Sequence, residues 1–337
     1  MPPVLTEIVE SYGIKGHTVL GIQSLGVSRT SAHWDLADER NEAKKALKAG
    51  NVDAFVMSPI GMPDPGIDNF VKLGLEHNPN AKFYIQISWP GMGLVDNDDM
   101  ESTFGGMFGG GMPGMGGGTR GGTRGDTRGG GGRGGNTPPE NNEPGAMVPS
   151  SQNATFSFAA FGGAQGGAGN RGGMRGGFGG GMMGGGMFGG NQDYNKTPEE
   201  IAKINVKNNK SAEEQAKKIN EEVGKTVVYL IPTAQDHNAL RVMIYNKEMP
   251  GMTDQGEVFR DFIGHPTDPV IALNAYLHFA VMYGSSPVGL PIPSILKNSR
   301  KPEYREEKFN RTLQELAWKT VINYPPSGVK APAKQKK

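Results

Sequence analysis

The sequence predicts an α/β protein whose parallel sheet carries helices on both faces. Four short apolar runs have the composition of buried strands, at residues 17–25, 52–60, 82–89 and 225–232. Segments with apolar residues at helical spacing separate these runs. Strands that alternate with helices of this length are typical of βαβ units, in which neighbouring strands run parallel.

The elements before residue 90 follow from local spacing and composition. Apolar residues at helical spacing predict a helix over 3–12. The loop 25–38, rich in small and polar residues, follows the first strand, and a charged helix over 39–51 ends near Gly50. A second amphipathic helix is predicted over 65–77, so that one helix lies between each pair of strands.

The same alternation resumes near residue 197. Residues 197–223 predict a long polar helix or helix pair, in which Thr197 is the N-cap and Glu200 completes a capping box. Three further helices are predicted at 237–251, 268–284 and 304–328.

A glycine-rich insertion, residues 104–192, interrupts this pattern and contains most of the 53 glycines. Glycine at this density loses much backbone entropy on ordering, and few side chains are present to offset that loss, so we expect disorder. The insertion falls between strand 82–89 and helix 197–223, within a βα connection. The remaining residues, 1–103 and 193–337, are expected to form one α/β domain.

The insertion also suggests one partner class. Arg-Gly-Gly repeats interspersed with phenylalanine resemble RNA-binding segments. However, the insertion holds only six arginines and no lysine, which is a thin electrostatic footprint for a polyanion. We therefore do not expect nucleic acid as a partner, and an expanded low-complexity loop is the alternative.

Composition excludes several classes of protein. Lys+Arg is 35 and Asp+Glu is 34, so overall charge does not favour nucleic acid or an anionic membrane. The absence of cysteine excludes disulfides and thiolate sites. No apolar run approaches the roughly 20 residues of a membrane helix. The first residues do not resemble a signal peptide, and the sequence does not indicate the cellular compartment.

The search for catalytic groups leads to one loop. None of the six histidines has a partner at metal-ligand spacing, and no phosphate loop or dinucleotide fingerprint follows a predicted strand, so we expect no metal and no cofactor. His265 follows Asp261 in a loop at the carboxyl side of the last α/β unit, where open sheets build their sites. Imidazole suits a general base near neutral pH, and a nearby carboxylate can orient it. The alternative is an exposed turn in which both residues are incidental.

Three segments together resemble the SGNH (GDSL-type) hydrolase superfamily, specifically bacterial SGNH-like proteins related to esterases and carbohydrate deacetylases. RDFIGHPT (260–267) resembles the Asp/His block, and LGVSRT (25–30) resembles the glycine block after the second strand. MSPIGMPD (57–64) stands at the asparagine block without an asparagine. The resemblance covers about residues 1–100 and 197–290.

The resemblance implies a flavodoxin-like three-layer α/β/α fold and serine-type hydrolysis of an acyl ester, such as an acetylated carbohydrate. His265 would be the general base and Asp261 its orienting carboxylate. The backbone around Gly26, Ser28 and Arg29 would contribute to the oxyanion site, although Arg29 stands where the family has glycine. The resemblance also suggests an exported bacterial protein.

The family's first strand and its nucleophilic serine have no counterpart in this pattern, because helix 3–12 begins at the start of the chain. None of the serines near the expected site lies at a strand-to-helix turn aimed at His265: Ser24, Ser28, Ser31, Ser58. The chain is either a fragment or a lineage that has lost the strand. We favour a fragment, because losing a central strand leaves two neighbouring strands unpaired.

The leading hypothesis is therefore an SGNH-like serine esterase or deacetylase fragment, inactive without its missing N-terminus, whose partner is a small-molecule or carbohydrate ester. Two alternatives are a non-catalytic binding protein on the same scaffold and an RNA-interacting protein that acts through the insertion. No membrane partner is expected.

Overall fold

The structure, a computed structural model, describes residues 1–25, 28–89, 154–159, 195–260 and 264–331. They form an α/β domain around one parallel sheet, as predicted. Its strands are β1 (Thr18–Ser24), β2 (Ala54–Met57), β3 (Lys82–Gln86), β4 (Ala154–Ala159) and β5 (Val228–Ile231). The helices are α1 (Pro2–Tyr12), α2 (Thr30–Trp34), α3 (Glu42–Lys48), α4 (Pro65–His77), α5 (Pro198–Ile201), α6 (Val206–Val223), α7 (Thr233–Tyr245), α8 (Asp268–Tyr283), α9 (Ser294–Lys297) and α10 (Glu307–Ile322).

Each of the four predicted strands contains one observed strand, and most predicted helices lie within a residue or two of their observed starts. The predicted capping box is present, because the Thr197 hydroxyl accepts from the Glu200 N–H while the Glu200 carboxylate accepts from the Thr197 N–H. Helix α7 differs, since it begins at Thr233 and not at His237. The Thr233 hydroxyl donates to the Ile87 carbonyl and so fixes the start of this helix against the end of β3.

Strand β4 lies where the sequence predicts no strand. The strand order is β1-β4-β2-β3-β5, and all neighbours run parallel. Phe156 of β4 pairs with Gly21 on one side and with Phe55 on the other. A strand from the glycine-rich segment therefore fills the position between β1 and β2 that the sequence leaves empty.

The same strand differs from the expected disorder of residues 104–192. Residues 154–159, ATFSFA, form a strand because threonine and phenylalanine favour extended backbone and this short run contains no glycine. Other parts of the predicted insertion lie outside the described residues.

The core between β2, β3 and α4 is aromatic. Phe55, Phe70 and Phe83 are fully buried, with ring centroids 5.5 Å apart for Phe55 and Phe70. Gly74 of α4 allows this approach, since a Cβ there would lie 2.5 Å from the Phe83 ring. This packing fixes the position of α4 along the strands. The first turn of α4 therefore lies near the carboxyl ends of the strands.

Candidate functional site

The loop that carries His265 is held at the carboxyl edge of the sheet by Trp89. The indole Nε1 of Trp89, three residues beyond β3, donates a 3.0 Å hydrogen bond to the carbonyl oxygen of Gly264. Gly264 has φ +83°, a backbone conformation that favours glycine. The structure thus places His265 at the edge where the sequence predicts the site.

An antiparallel β-bridge and a backbone hydrogen bond join the two ends of this loop. Phe259 and Pro266 form an isolated bridge, and the N–H of Arg260 donates 2.7 Å to the carbonyl of His265. His265 itself is half-buried. Asp261, its predicted orienting carboxylate, lies outside the described residues, and the Asp261–His265 pair stays a prediction.

A buried histidine, His237, lies against Trp89. The rings of Trp89 and His237 are 4.2 Å apart, and His237 Nε2 lies 2.9 Å from the Asn274 side-chain oxygen. Burial lowers the pKa of His237 to about 4, so its imidazole is neutral at pH 7. With Nε2–H donating to Asn274, Nδ1 is an acceptor, and this buried nitrogen has no hydrogen-bond partner among the described residues.

The predicted oxyanion loop contains a serine–histidine pair. Ser28 Oγ lies 3.0 Å from His33 Nε2, and Gln23 Nε2 lies 3.2 Å from His33 Nδ1. His33 is buried, and burial lowers its pKa to about 4.

The hydrogen bonds of Gln23 determine which nitrogen of His33 carries the proton. The side-chain oxygen of Gln23 accepts from the Ala43 N–H, so its amide nitrogen faces His33 and donates to Nδ1. Neutral His33 then carries its proton on Nε2 and donates it to Ser28. Because Nε2 is already protonated, it cannot remove a proton from the Ser28 hydroxyl.

Arg29, which stands where the family has glycine, anchors the loop to a buried carboxylate. Its backbone is extended, with φ −75° and ψ 157°, so the chain does not require glycine there. One guanidinium nitrogen donates 2.5 Å to the Pro63 carbonyl, and Nε lies 3.7 Å from Asp64. The Arg29 side chain therefore joins this loop to the start of α4.

Asp64 uses the amide groups that follow Arg29. Its fully buried carboxylate accepts from the N–H groups of Thr30 at 2.6 Å, Ser31 at 3.0 Å and Gly66 at 2.9 Å. It thus caps α2 and α4 together. The N–H groups of Thr30 and Ser31 are not free to stabilise an oxyanion. Whether the N–H groups of Ser28 and Arg29 do so stays a prediction, and Gly26 lies outside the described residues.

The segment predicted to correspond to the asparagine block, 57–64, receives a polar contact from elsewhere in the chain. The Ser88 hydroxyl donates to the Pro59 carbonyl, and the amide nitrogen of Asn205 donates 3.1 Å to the Ser88 carbonyl. Asn205 precedes α6 and is buried, and within the described part of the chain its side-chain oxygen has no hydrogen-bond partner. A side-chain amide thus lies beside this edge, although its nitrogen is already engaged.

The sequence that follows β4 is relevant to the nucleophile that the SGNH resemblance predicts. Ala159, its last residue, pairs with Ser24 at the end of β1. The sequence from Phe158 to Lys196 contains no serine, threonine or cysteine. The first serine or threonine beyond β4 is therefore Thr197, the N-cap of α5.

Comparison with protein-family models, curated proteins and solved structures finds no significant match for this chain. Among the described residues, no group of three or more His, Asp or Glu side chains is arranged to hold a metal ion. Within the same part of the chain, no helix is both long enough and apolar enough to cross a bilayer.

Proposed function

We propose that this chain is a ligand-binding protein on an SGNH-like scaffold and that it does not hydrolyse its ligand. The observation that carries this proposal is β4, which lies between β1 and β2 in the sheet and is followed by no serine, threonine or cysteine before Thr197. In SGNH-type enzymes the nucleophilic serine follows the strand at that position. By the same resemblance, the ligand is a small acyl ester such as an acetylated carbohydrate.

The strand order supports the flavodoxin-like form of this scaffold. If β4 is counted as the first strand, then β1, β2, β3 and β5 become the second to the fifth. The observed order β1-β4-β2-β3-β5 then reads 2-1-3-4-5, which is the order of flavodoxin-like three-layer folds. On this assignment, the glycine-rich sequences before and after β4 link this strand to β3 and to α5 along the chain.

Two further contacts support binding without hydrolysis. The proton of His33 is on the nitrogen that faces Ser28, so His33 cannot serve this serine as a general base. The N–H groups of Thr30 and Ser31, beside Arg29, donate to Asp64, so these two amides cannot donate to an oxyanion. Both contacts stabilise the loop, and neither activates a reacting group.

The second candidate is the esterase itself, with His265 as general base. One observation favours it: the Trp89 bond to Gly264 fixes the loop of His265 at the carboxyl edge of the sheet. A histidine held in this way can remove a proton from a nucleophile or a water molecule that approaches the edge.

Hydrolysis and binding assays separate the two candidates. The purified chain is incubated with p-nitrophenyl acetate, beside His265→Ala and, as a matched control, His77→Ala, since His77 is exposed at the end of α4. Saturation-transfer NMR with an acetylated sugar measures binding in the same preparations. We expect equal, background rates of nitrophenolate release from all three proteins and saturable binding of the sugar to the wild type.

Release that is fast in the wild type and in His77→Ala but lost in His265→Ala would replace the binding proposal with the esterase. Failure of the wild-type chain to bind any acetylated sugar, together with background release, would overturn both.

A further inference from the structure

Among the residues that the structure describes, strand β1 forms one edge of the sheet, and its side chains are unusual for an edge. It is seven residues long, and its sequence, TVLGIQS, contains no charged residue and no proline. Leu20 and Ile22 are 38% and 48% exposed, although they are large and apolar. Soluble proteins usually protect such an edge with charges, proline or a covering segment, because its free N–H and C=O groups pair readily with another strand.

The opposite edge of the sheet is protected. Strand β5 has only four residues, and the turn Pro325–Ser327 with Gly328 lies against it. A Cβ on Gly328 would lie 2.6 Å from the Tyr229 ring, which shows how closely this turn covers β5. In the described part of the chain, β1 pairs on one side only, with β4, and no segment pairs with its outer side.

We propose that β1 pairs antiparallel with β1 of a second copy of this chain, about a two-fold axis at Gly21. The two five-stranded sheets then continue into one another. An interface of this kind is isologous, since the same strand contributes both sides. Main-chain hydrogen bonds supply the pairing, and the exposed apolar side chains determine its register.

The sequence of β1 is complementary to itself in this register. With Gly21 at the axis, Leu20 lies opposite Ile22 of the second copy, and Thr18 lies opposite Ser24. Apolar side chains thus meet apolar ones and hydroxyls meet hydroxyls on one face of the joined sheet, at the distances of cross-strand pairs. A shift of one residue would place Leu20 opposite a polar residue or a glycine.

Charge also favours a second copy as the partner. Residues 16–26 contain no Asp, Glu, Lys or Arg, so the two-fold axis brings no like charges together. A partner of strongly charged sequence would find no complementary charge along this edge, whereas an identical strand needs none.

Charge pairs placed across the axis test the proposal in the full chain. One variant combines Leu20→Lys with Ile22→Lys, which opposes like charges at both cross-strand positions. A second combines Leu20→Lys with Ile22→Glu, which opposes unlike charges at the same positions. Val206→Lys is the control, because Val206 is 57% exposed on α6, away from this edge.

Sedimentation equilibrium at micromolar concentrations measures the dimer, and circular dichroism verifies the fold. We expect the wild type and Val206→Lys to be dimeric. The doubly lysine-substituted variant should dissociate, with Kd higher by on the order of tenfold or more. The Lys/Glu variant should dimerise again and become sensitive to salt.

A wild-type chain that stays monomeric overturns the proposal, and so does a doubly lysine-substituted variant that dimerises like the wild type. A Lys/Glu variant as weak as the doubly lysine-substituted one overturns the register about Gly21.

Discussion

Trp89 and Gly264, which are 175 positions apart in sequence, are joined by a 3.0 Å hydrogen bond from the indole nitrogen to the carbonyl oxygen. This contact ties the segment after β3 to the residue before His265. Both residues are buried, so the bond is shielded from competition by water. The position of the His265 loop therefore depends on an aromatic side chain from a different part of the chain.

The first prediction concerns this bond. Trp89→Phe keeps an aromatic ring beside His237 but removes the N–H, which leaves the buried Gly264 carbonyl without its donor. We expect a loss of about 1–3 kcal/mol in the free energy of unfolding, measured by urea denaturation. Trp34→Phe is the matched control, since the ring of Trp34 packs on Phe70 at 5.0 Å. Equal losses in the two variants would show that the hydrogen bond contributes nothing beyond ring packing.

The second prediction concerns the double cap made by Asp64. Asp64→Asn replaces one of the accepting oxygens with an NH₂ group that faces N–H donors, because the carboxylate accepts from three backbone amides. We expect a loss of about 2–4 kcal/mol in thermal or chemical denaturation. Asp254→Asn is the control, since Asp254 caps a short turn at the surface, where asparagine is an equally good cap. A loss of stability in Asp64→Asn no larger than in Asp254→Asn would contradict the double cap made by Asp64.

The third prediction concerns pH. Burial raises the pKa of Asp236 to about 7, although the Thr320 hydroxyl donates 2.6 Å to this carboxyl and opposes the shift. The folded chain therefore holds a proton that the unfolded chain releases near pH 4, and this carboxyl lowers stability as pH rises from about 4 to 7. The slope is at most about 1.4 kcal/mol per pH unit.

Asp236→Asn removes the ionisation and keeps an acceptor for Thr320. Denaturation curves across this pH range should show the variant to be more stable than the wild type above pH 7, with the difference shrinking toward pH 4, where the folded chain keeps the proton and the unfolded chain begins to take it up. A difference that is independent of pH would refute the shifted titration of Asp236.

The fold was predictable wherever local pattern and tertiary environment agree. The buried strands β2 and β3 are continuous apolar runs, and helix α4 begins at a proline after an aspartate cap, so composition alone locates them. Strand β4 was missed because its six residues lie in glycine-rich sequence, where composition predicts disorder. The alternation of threonine, phenylalanine and serine in ATFSFA was the signal that could have located it.

The candidate site was predictable only in part. Sequence spacing predicts a loop with His265 at the carboxyl edge, and the structure describes that loop there. Spacing cannot indicate that Trp89 holds the loop, since the contact depends on tertiary packing. Spacing also cannot indicate that Gln23 determines which nitrogen of His33 carries the proton, because a tautomer follows from hydrogen-bond partners and not from residue type.

We propose that residues 154–159 complete the sheet at the position that the nucleophile-bearing strand has in SGNH-type enzymes. Phe156→Pro tests it, because proline removes a ladder donor from a strand that is paired on both sides. Phe178→Pro is the matched control, since it makes the same change in the glycine-rich segment outside β4. The measurement is the free energy of unfolding by urea. We expect the free energy of unfolding to fall by on the order of 3 kcal/mol in Phe156→Pro and to stay unchanged in Phe178→Pro. Wild-type stability of Phe156→Pro would contradict this proposal.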